Sequence, residues 1–260
     1  MVSLTLNDKM SQFGYIPQIV TFLMKVENER KDFPMLCFLS GNTLKIIAAL
    51  SMLIDHIGYM FFPNVIIFRI IGRLAFPIFA YMIAEGCRYT KNKLRYFLTI
   101  FILALLCQCA YFYSTGDMYL NVLLSFSLSI VLIFSFQQSL KALGQGLYIK
   151  ALLFPLSVML IYILTLYFKI DYGFLGIMFP LFASVISPKD EYSRKANVAL
   201  FTVGLFILSL SLGGIQYYSL YASLLLLMYS GARGKYKMKY FFYVFYPLHL
   251  IVLEIIKICF

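Results

Sequence analysis

Residues 46–62, IIAALSMLIDHIGYMFF, decide the fold class of this chain of 260 residues. The stretch is apolar along most of its length and is long enough to cross the hydrocarbon layer of a bilayer as an α-helix. Apolar runs of similar length recur to the end of the chain. Hydrophobic residues make up 62% of the sequence, whereas a soluble domain contains about half. The sequence therefore predicts an all-α, polytopic membrane protein.

The apolar runs divide into about nine predicted spans, separated by short polar loops. A membrane-spanning β-barrel would instead show short segments in which apolar and polar residues alternate. Residues 1–40 are more polar and are predicted to form a cytoplasmic extension, and residues 41–260 to form the membrane domain. The segment GNTLK is typical of a helix start, with Asn42 or Thr43 as the N-cap. The predicted spans lie at about residues 46–62, 65–84, 95–114, 120–138, 150–168, 172–187, 196–212, 215–230 and 240–258.

The basic residues give this layout an orientation. The chain carries 22 Lys and Arg against 11 Asp and Glu, a net charge of +11. If the N-terminus is cytoplasmic, 18 of these cations precede the first span or fall in inner loops, and only Lys169 and Lys257 fall outside. Membrane proteins keep Lys and Arg on the cytoplasmic side, so this pattern predicts a cytoplasmic N-terminus and an extracytoplasmic C-terminus. The positive charge is therefore assigned to topology, and no nucleic-acid partner is expected.

Motifs for several common chemistries are missing from the sequence. It contains no P-loop, no G-x-S-x-G elbow and no H-E-x-x-H pair. The five cysteines include no C-x-x-C pair and fall mostly in or beside apolar runs, so neither a disulfide framework nor a metal site is predicted. ATPase, serine-hydrolase and zinc-protease functions therefore have no support.

Charged residues inside the first two predicted spans indicate a site. A charge in hydrocarbon costs at least about 2.5–3.5 kcal/mol, so it must be paired or hydrated. Arg69 and Arg73 are four residues apart and share one helix face, and Asp55 is the nearest anion in the sequence. We expect an ion pair of Asp55 with Arg69 or Arg73. The alternative is that this pair only locks the two spans together.

Both histidines of the chain, His56 and His249, also lie in apolar segments. Histidine exchanges a proton near neutral pH, so either is a candidate general base; the alternative is an interhelical hydrogen bond. Asp55 and His56 point about 100° apart on a helix and are not expected to pair with each other. Further polar residues fall near the same outer ends of the spans, and one shared cavity that opens to the extracytoplasmic face is expected. These residues are Gln108, Asn121 and Asp171, which together with Arg69 are expected to bind the substrate.

Several sequence blocks resemble the TraX family, whose named member is the inner-membrane acetylase of the conjugative F-pilin. They are GNTLKIIAALSMLIDHIGYMFFP, RIIGRLAFPIFAYMIAEGCRYTKNKLRYF, LNVLLSFSLS, DYGFLGIM and KMKYFFYVFYPLHLIVLEI, in that order from about residue 41 to the end. The third span keeps Gln108 but lacks the proline that the family commonly has there. The resemblance implies a site built from Asp55, His56, Arg73, Glu85, Asn121, Asp171, Tyr246 and His249.

The resemblance also implies an activity, namely acetyl transfer from cytoplasmic acetyl-CoA across the bacterial cytoplasmic membrane. The expected acceptor is an amine or hydroxyl on an extracytoplasmic peptide, pilin or glycan. His56 or His249 would remove the proton of the acceptor, and Arg73, with Arg69 or Asn121, would stabilise the oxyanion. Cations of the loops 88–95 and 231–239 would bind the phosphates of the donor, unless they serve topology alone. These cations are Lys91, Lys93, Arg95 and Lys235.

Two other classes of function fit the same residues. A transporter or channel would use the intramembrane charges as an ion path, although the chain shows no paired inverted repeats. A non-catalytic membrane scaffold would use the charges only for packing, and would tolerate replacement of His56 and Arg73 together.

Overall fold

The computed structural model describes residues 37–236 and 238–259. Within these ranges every regular element is a helix, and two isolated backbone bridges join Leu39 to Tyr229 and Leu120 to Ile170. The α-helices are α1 Gly41–Phe61, α2 Ile66–Gly72, α3 Ala75–Tyr89, α4 Lys93–Thr115, α5 Val122–Gly144, α6 Tyr148–Ala151, α7 Leu153–Tyr167, α8 Gly173–Val185, α9 Glu191–Leu212, α10 Tyr221–Leu227 and α11 Lys239–Cys259. A 3₁₀ helix, Gly214–Leu220, runs directly into α10.

Among the described residues, six helical segments are long and apolar enough to cross a membrane, which confirms an all-α membrane protein. They are Gly41–Phe61, Ile66–Tyr89, Lys93–Tyr113, Val122–Gly144, Tyr148–Tyr167 and Glu191–Leu212. The other three predicted spans coincide with α8, with the 3₁₀ helix and α10, and with α11. The count of nine spans and the orientation of the termini stay predictions. Most of the predicted extension 1–40 lies outside the described residues.

The first helix begins five residues earlier than predicted. The side chain of Ser40 caps it by accepting a hydrogen bond from the Thr43 backbone N–H at 3.2 Å, so the predicted caps Asn42 and Thr43 are wrong. The amide of Asn42 instead donates to the carbonyl of Tyr236 at 2.6 Å. As a consequence, Lys45 lies inside α1 rather than in the loop before it.

The second predicted span is broken into α2 and α3. Pro77 has no backbone N–H and cannot bond to the carbonyl of Arg73, four residues earlier, so the continuous helix ends there. Arg73 becomes the C-cap of α2, at a turn rather than within a helix. Gly72 lets α2 lie against α1, because a Cβ at this position would overlap the side chain of Asp55.

The third helix is the centre of the bundle. It packs against α1, α5, α8 and α10. Its residues Ile78, Ala80 and Tyr81 are fully buried, and the Tyr81 ring meets the Phe201 ring edge-on with centroids 5.2 Å apart. By contrast, α7 lies at the periphery and leaves most of its apolar side chains exposed. A helix that is apolar and exposed suits contact with lipid.

Candidate functional site

One cavity of about 1520 Å³ runs through the bundle. Its wall includes α1 residues from Gly41 to Met60. At a rise of 1.5 Å per residue these positions span about 28 Å, close to the ~30 Å thickness of a bilayer's hydrocarbon core. The cavity therefore follows α1 along nearly its whole length, and its two ends have different chemistry.

The end near the C-terminus of α1 holds the arginine cluster, which consists of Asp55, Arg69, Arg73 and Gln216. Asp55 accepts from both arginines, with Arg69 Nη1 2.8 Å from Oδ2 and Arg73 Nη2 3.3 Å from Oδ1. The predicted ion pair is therefore confirmed, and it involves both cations. Arg73 Nη1 also lies 3.4 Å from Gln216 Oε1. Because two guanidinium groups share one carboxylate, the cluster keeps an excess of positive charge.

The two histidines come together beside this cluster. In each, Nδ1 lies within hydrogen-bond distance of the carbonyl oxygen one turn back in its own helix: His56 with Met52 at 2.8 Å, and His249 with Phe245 at 2.9 Å. A carbonyl only accepts, so Nδ1 carries the proton and Nε2 of a neutral ring keeps its lone pair. The ring centroids are 5.1 Å apart.

The two rings differ in access to the cavity. His56 lines it, whereas His249 is buried behind His56, and its Nε2 has no hydrogen-bond partner within the described residues. Tyr246, which also lines the cavity, lies edge-on to His249 with centroids 5.7 Å apart. Asp55 engages the arginines while His56 engages its own helix, as the angle between neighbouring helical positions predicts. Of the two histidines, His56 is therefore the better-placed candidate for a general base.

Gln108 and Asn121 form an amide pair that joins α4 to the start of α5. Asn121 Oδ1 caps α5 by accepting from the N–H groups of Leu123 and Leu124, at 3.0 and 3.2 Å. Asn121 Nδ2 donates to Gln108 Oε1 at 3.0 Å and to the carbonyl of Ala104 at 3.0 Å. Asn121 lies on the cavity wall, and Gln108 supports it from behind. Their role in substrate binding stays a prediction.

Asp171 lies on the cavity wall in the loop between α7 and α8. The hydroxyl of Tyr119 donates to Asp171 Oδ1 at 3.3 Å. Burial raises the pKa of the Asp171 carboxyl, and the hydrogen bond from Tyr119 partly opposes this. Burial and the neighbouring carboxylate raise the pKa of Tyr119 to about 12. The adjacent Tyr172 takes a left-handed φ of 61° and stacks on Phe76, with ring centroids 3.7 Å apart.

The opposite end of the cavity is lined by the cations Lys45 and Arg233 and is called the cationic end. Glu85 lies there too, buried and paired with Arg88, and it accepts from the Tyr229 hydroxyl at 3.2 Å. Glu85, which the resemblance included in the site, therefore forms an ion pair with Arg88 at this end of the cavity. In the sequence, Lys45 is a cation near the start of an apolar helix. Its place inside that helix can be recognised only once Ser40 is known to be the N-cap.

The four cations predicted to bind the donor lie elsewhere. Lys91, Arg95 and Lys235 are exposed and lie off the cavity wall. The ammonium of Lys93 donates to Gln137 Oε1 at 3.2 Å and lies 4.8 Å from the centre of the Phe134 ring. The structure brings the two histidines and the two arginines together, but it does not bring these four cations to the cavity wall. Gln216 also lines the cavity. The sequence did not single it out, because it lies in an apolar segment that was predicted to be an ordinary span.

Comparisons with known proteins give a family and two relatives. A family model described as "TraX protein" matches residues 40–257. An uncharacterized protein of Rickettsia prowazekii, RP591, is 29% identical over 162 residues, 61% of each chain. The probable fimbrial assembly protein FimC, serogroup H1, of Dichelobacter nodosus is 26% identical over 237 residues, which cover 82% of this chain and 94% of that protein. No solved structure gives a significant match.

Proposed function

The chain belongs to the TraX family, and we propose that this membrane protein is an acetyltransferase. It takes the acetyl group of cytoplasmic acetyl-CoA and transfers it to an amine or hydroxyl beyond the bacterial cytoplasmic membrane. The observation that supports this most directly is the single cavity with two chemically different ends. One end offers cations, and the other offers a histidine beside paired arginines.

The residues at the arginine cluster suit acyl transfer. Nε2 of neutral His56 can take the proton from the acceptor's amine or hydroxyl as that atom attacks the acetyl carbonyl. The carbonyl oxygen gains negative charge in this step, and the arginine cluster carries the excess positive charge that stabilises it. The carbon–sulfur bond then breaks, the acetyl group stays on the acceptor, and the CoA thiolate leaves and takes up a proton.

The cavity also suits the shape of acetyl-CoA, which is a substrate here. Ordinary ligand pockets measure about 300–1000 Å³, so a volume of about 1520 Å³ leaves room for a long molecule. Lys45 and Arg233 can bind the phosphates. Between the two ends the wall includes apolar side chains, among them Ile83, Ile100 and Leu103. A slim, mostly uncharged pantetheine arm fits such a passage, whereas the charged nucleotide does not.

The acceptor in this proposal is an extracytoplasmic peptide, pilin or cell-surface glycan. The name of the Dichelobacter relative refers to fimbrial assembly, which favours a pilin or another surface peptide. A free N-terminal amine meets the chemical requirement, because its neutral form attacks through the nitrogen lone pair while His56 takes the proton that the nitrogen loses.

The proposal is tested with the purified protein in sealed vesicles of known orientation. Labelled acetyl-CoA is supplied on the side of residues 88–95. A synthetic peptide with a free N-terminus, the host's pilin, or cell-wall glycan is supplied on the other. We expect labelled acceptor and free CoA from wild-type protein, and neither from His56→Ala. If transfer occurs only when both substrates are on the same side of the membrane, the transmembrane route is refuted. If no transfer occurs in any arrangement, the proposed acetyltransferase activity is refuted.

A transporter is the second candidate, because the cavity reaches both ends of α1. A transporter would move a small solute or ion across the same vesicles without acetyl-CoA, and no acetylated product would form. Measuring flux with and without acetyl-CoA therefore separates the two functions.

A further inference from the structure

Gln216 occupies an unusual place on the cavity wall. It lies on the 3₁₀ helix Gly214–Leu220, is only 4% exposed, and lines the cavity. The chain enters this helix through Gly213 and Gly214, whose φ angles of 67° and 55° are left-handed. Such angles favour glycine, and they let the chain turn directly from α9 into the 3₁₀ helix. The backbone therefore places this amide beside the arginine cluster.

The neighbouring guanidinium fixes the orientation of the amide. Arg73 Nη1 lies 3.4 Å from Gln216 Oε1. A guanidinium has only donors, so the oxygen of the amide must face it and the NH₂ group must point away. The backbone carbonyl of Gln216 lies 3.4 Å from the Ser209 hydroxyl, which ties the 3₁₀ helix to α9. Arg73 therefore contacts the side chain of Gln216, and Ser209 contacts its backbone.

The NH₂ group of Gln216 is a buried donor whose acceptor is missing from the described part of the chain. Nε2 has no hydrogen-bond partner within the described residues. Buried polar groups nearly always have a partner, and an unsatisfied one costs free energy. Nε2 itself has almost no accessible surface, although other atoms of Gln216 line the cavity, so a small shift of the side chain would let an acceptor on a bound ligand satisfy this donor.

We propose that Gln216 Nε2 donates a hydrogen bond to the acetyl carbonyl oxygen of the acyl donor and, with Arg73, stabilises the oxyanion. This inference rests on the proposed acetyl transfer and adds a catalytic residue to it. During the reaction the acceptor atom bonds to the carbonyl carbon, His56 takes the proton, and the electron pair of the C=O bond moves to the oxygen. The oxygen then holds the negative charge beside the amide and the guanidinium until the carbon–sulfur bond breaks. Gln216 exchanges no proton.

Two variants separate this role from a structural one. Gln216→Glu keeps the size of the side chain and keeps an oxygen facing Arg73, but it has no NH₂ donor. Gln216→Met removes both functions at similar length. Gln216→Glu also adds a negative charge that offsets the excess positive charge of the arginine cluster, so a loss of kcat in this variant alone does not separate the two roles; the infrared spectra of Gln216→Met separate them. If Gln216 donates to the substrate, both variants should lose about 10²–10³-fold in kcat, the usual loss for one oxyanion donor, while the KM for acetyl-CoA changes little. Gln145→Met is the matched control, since Gln145 is exposed at the end of α5.

Infrared difference spectra of bound acetyl-CoA, labelled with ¹³C at the thioester carbonyl, provide a readout without turnover. Hydrogen bonding weakens the C=O bond, so we expect a lower stretching frequency in wild-type protein and in Gln145→Met than in Gln216→Met. An equal frequency in all three, or wild-type kcat in Gln216→Glu, would overturn the role of Gln216 and leave the acetyltransferase proposal standing. If wild-type protein neither binds acetyl-CoA nor transfers the acetyl group, the proposed function fails and this inference fails with it.

Discussion

His56 and His249 lie on helices at opposite ends of the described chain, yet their ring centroids are 5.1 Å apart and their planes meet at 74°. Each ring directs Nδ1 at a carbonyl of its own helix. Two segments from distant parts of the chain therefore form one histidine pair beside the arginine cluster.

The first prediction concerns which ring is the base. His56→Ala should lower kcat by about 10²–10⁴-fold, the usual loss for a general base. His249→Ala should cost less, because His249 lies behind His56 and off the cavity wall. Steady-state kinetics of both variants decide this, with thermal unfolding as the control for folding. A larger loss in His249→Ala would reverse the assignment.

The second prediction concerns the shared carboxylate. Asp55→Asn leaves Arg69 and Arg73 without their anion, and we expect a loss of stability of as much as about 3–5 kcal/mol, less if water enters. Asp55→Asn combined with Arg73→Gln should recover part of it, because only one unpaired cation, Arg69, then remains instead of two. Thermal unfolding in detergent of the single and double variants gives the coupling. Strictly additive losses would show that the ion pair does not stabilise the fold.

The third prediction concerns Gly72. A methyl group at this position overlaps the side chain of Asp55, so Gly72→Ala should push α2 away from α1 and cost about 1–3 kcal/mol. Gly144→Ala is the control, since a Cβ there has no neighbour within 4 Å. It should be neutral or slightly stabilising. Equal unfolding temperatures for both variants would mean that the close approach of α2 to α1 is unimportant.

The fourth prediction concerns topology. Reporter fusions at residues 92 and 260 should report opposite compartments, with residue 92 cytoplasmic, because the basic residues concentrate on one side. Matching compartments would exclude nine spans, and an extracytoplasmic residue 92 would exchange the sides assigned to the two ends of the cavity.

The fifth prediction concerns the donor phosphates. Lys45→Gln and Arg233→Gln together should raise the KM for acetyl-CoA and weaken its dependence on salt. Replacement of Lys91, Lys93, Arg95 and Lys235 by Gln should have a smaller effect, because these residues lie off the cavity wall. The two sets are compared by the KM for acetyl-CoA at low and high salt. A larger change in the second set would favour the sequence-based assignment.

The sequence predicted the features that follow from the cost of burying charge. Asp55 had to meet an arginine because neither ion is stable alone in hydrocarbon, and the structure pairs it with both. A shared cavity followed from polar residues at similar depths. The periodicity and composition of the sequence indicate which positions avoid lipid, and the ion pair and the shared cavity follow from those positions.

Other features depended on details that periodicity does not record. Pro77 breaks the second span, although the apolar run continues across it. Ser40 extends the first helix and brings Lys45 into the cavity wall. Gln216 was one amide in an apolar stretch, and its importance appears only when Arg73, from another part of the chain, is placed against it. Long-range packing decides such contacts.

The positive excess of the arginine cluster has a consequence for the energy supply of the cell. A passage along the whole of α1 would dissipate the proton gradient if hydrated protons could flow through it. Two guanidinium groups around one carboxylate repel cations at one end of that passage, much as a single arginine excludes protons from water channels. The same charges that would stabilise an oxyanion would therefore also hinder the flow of protons along the passage.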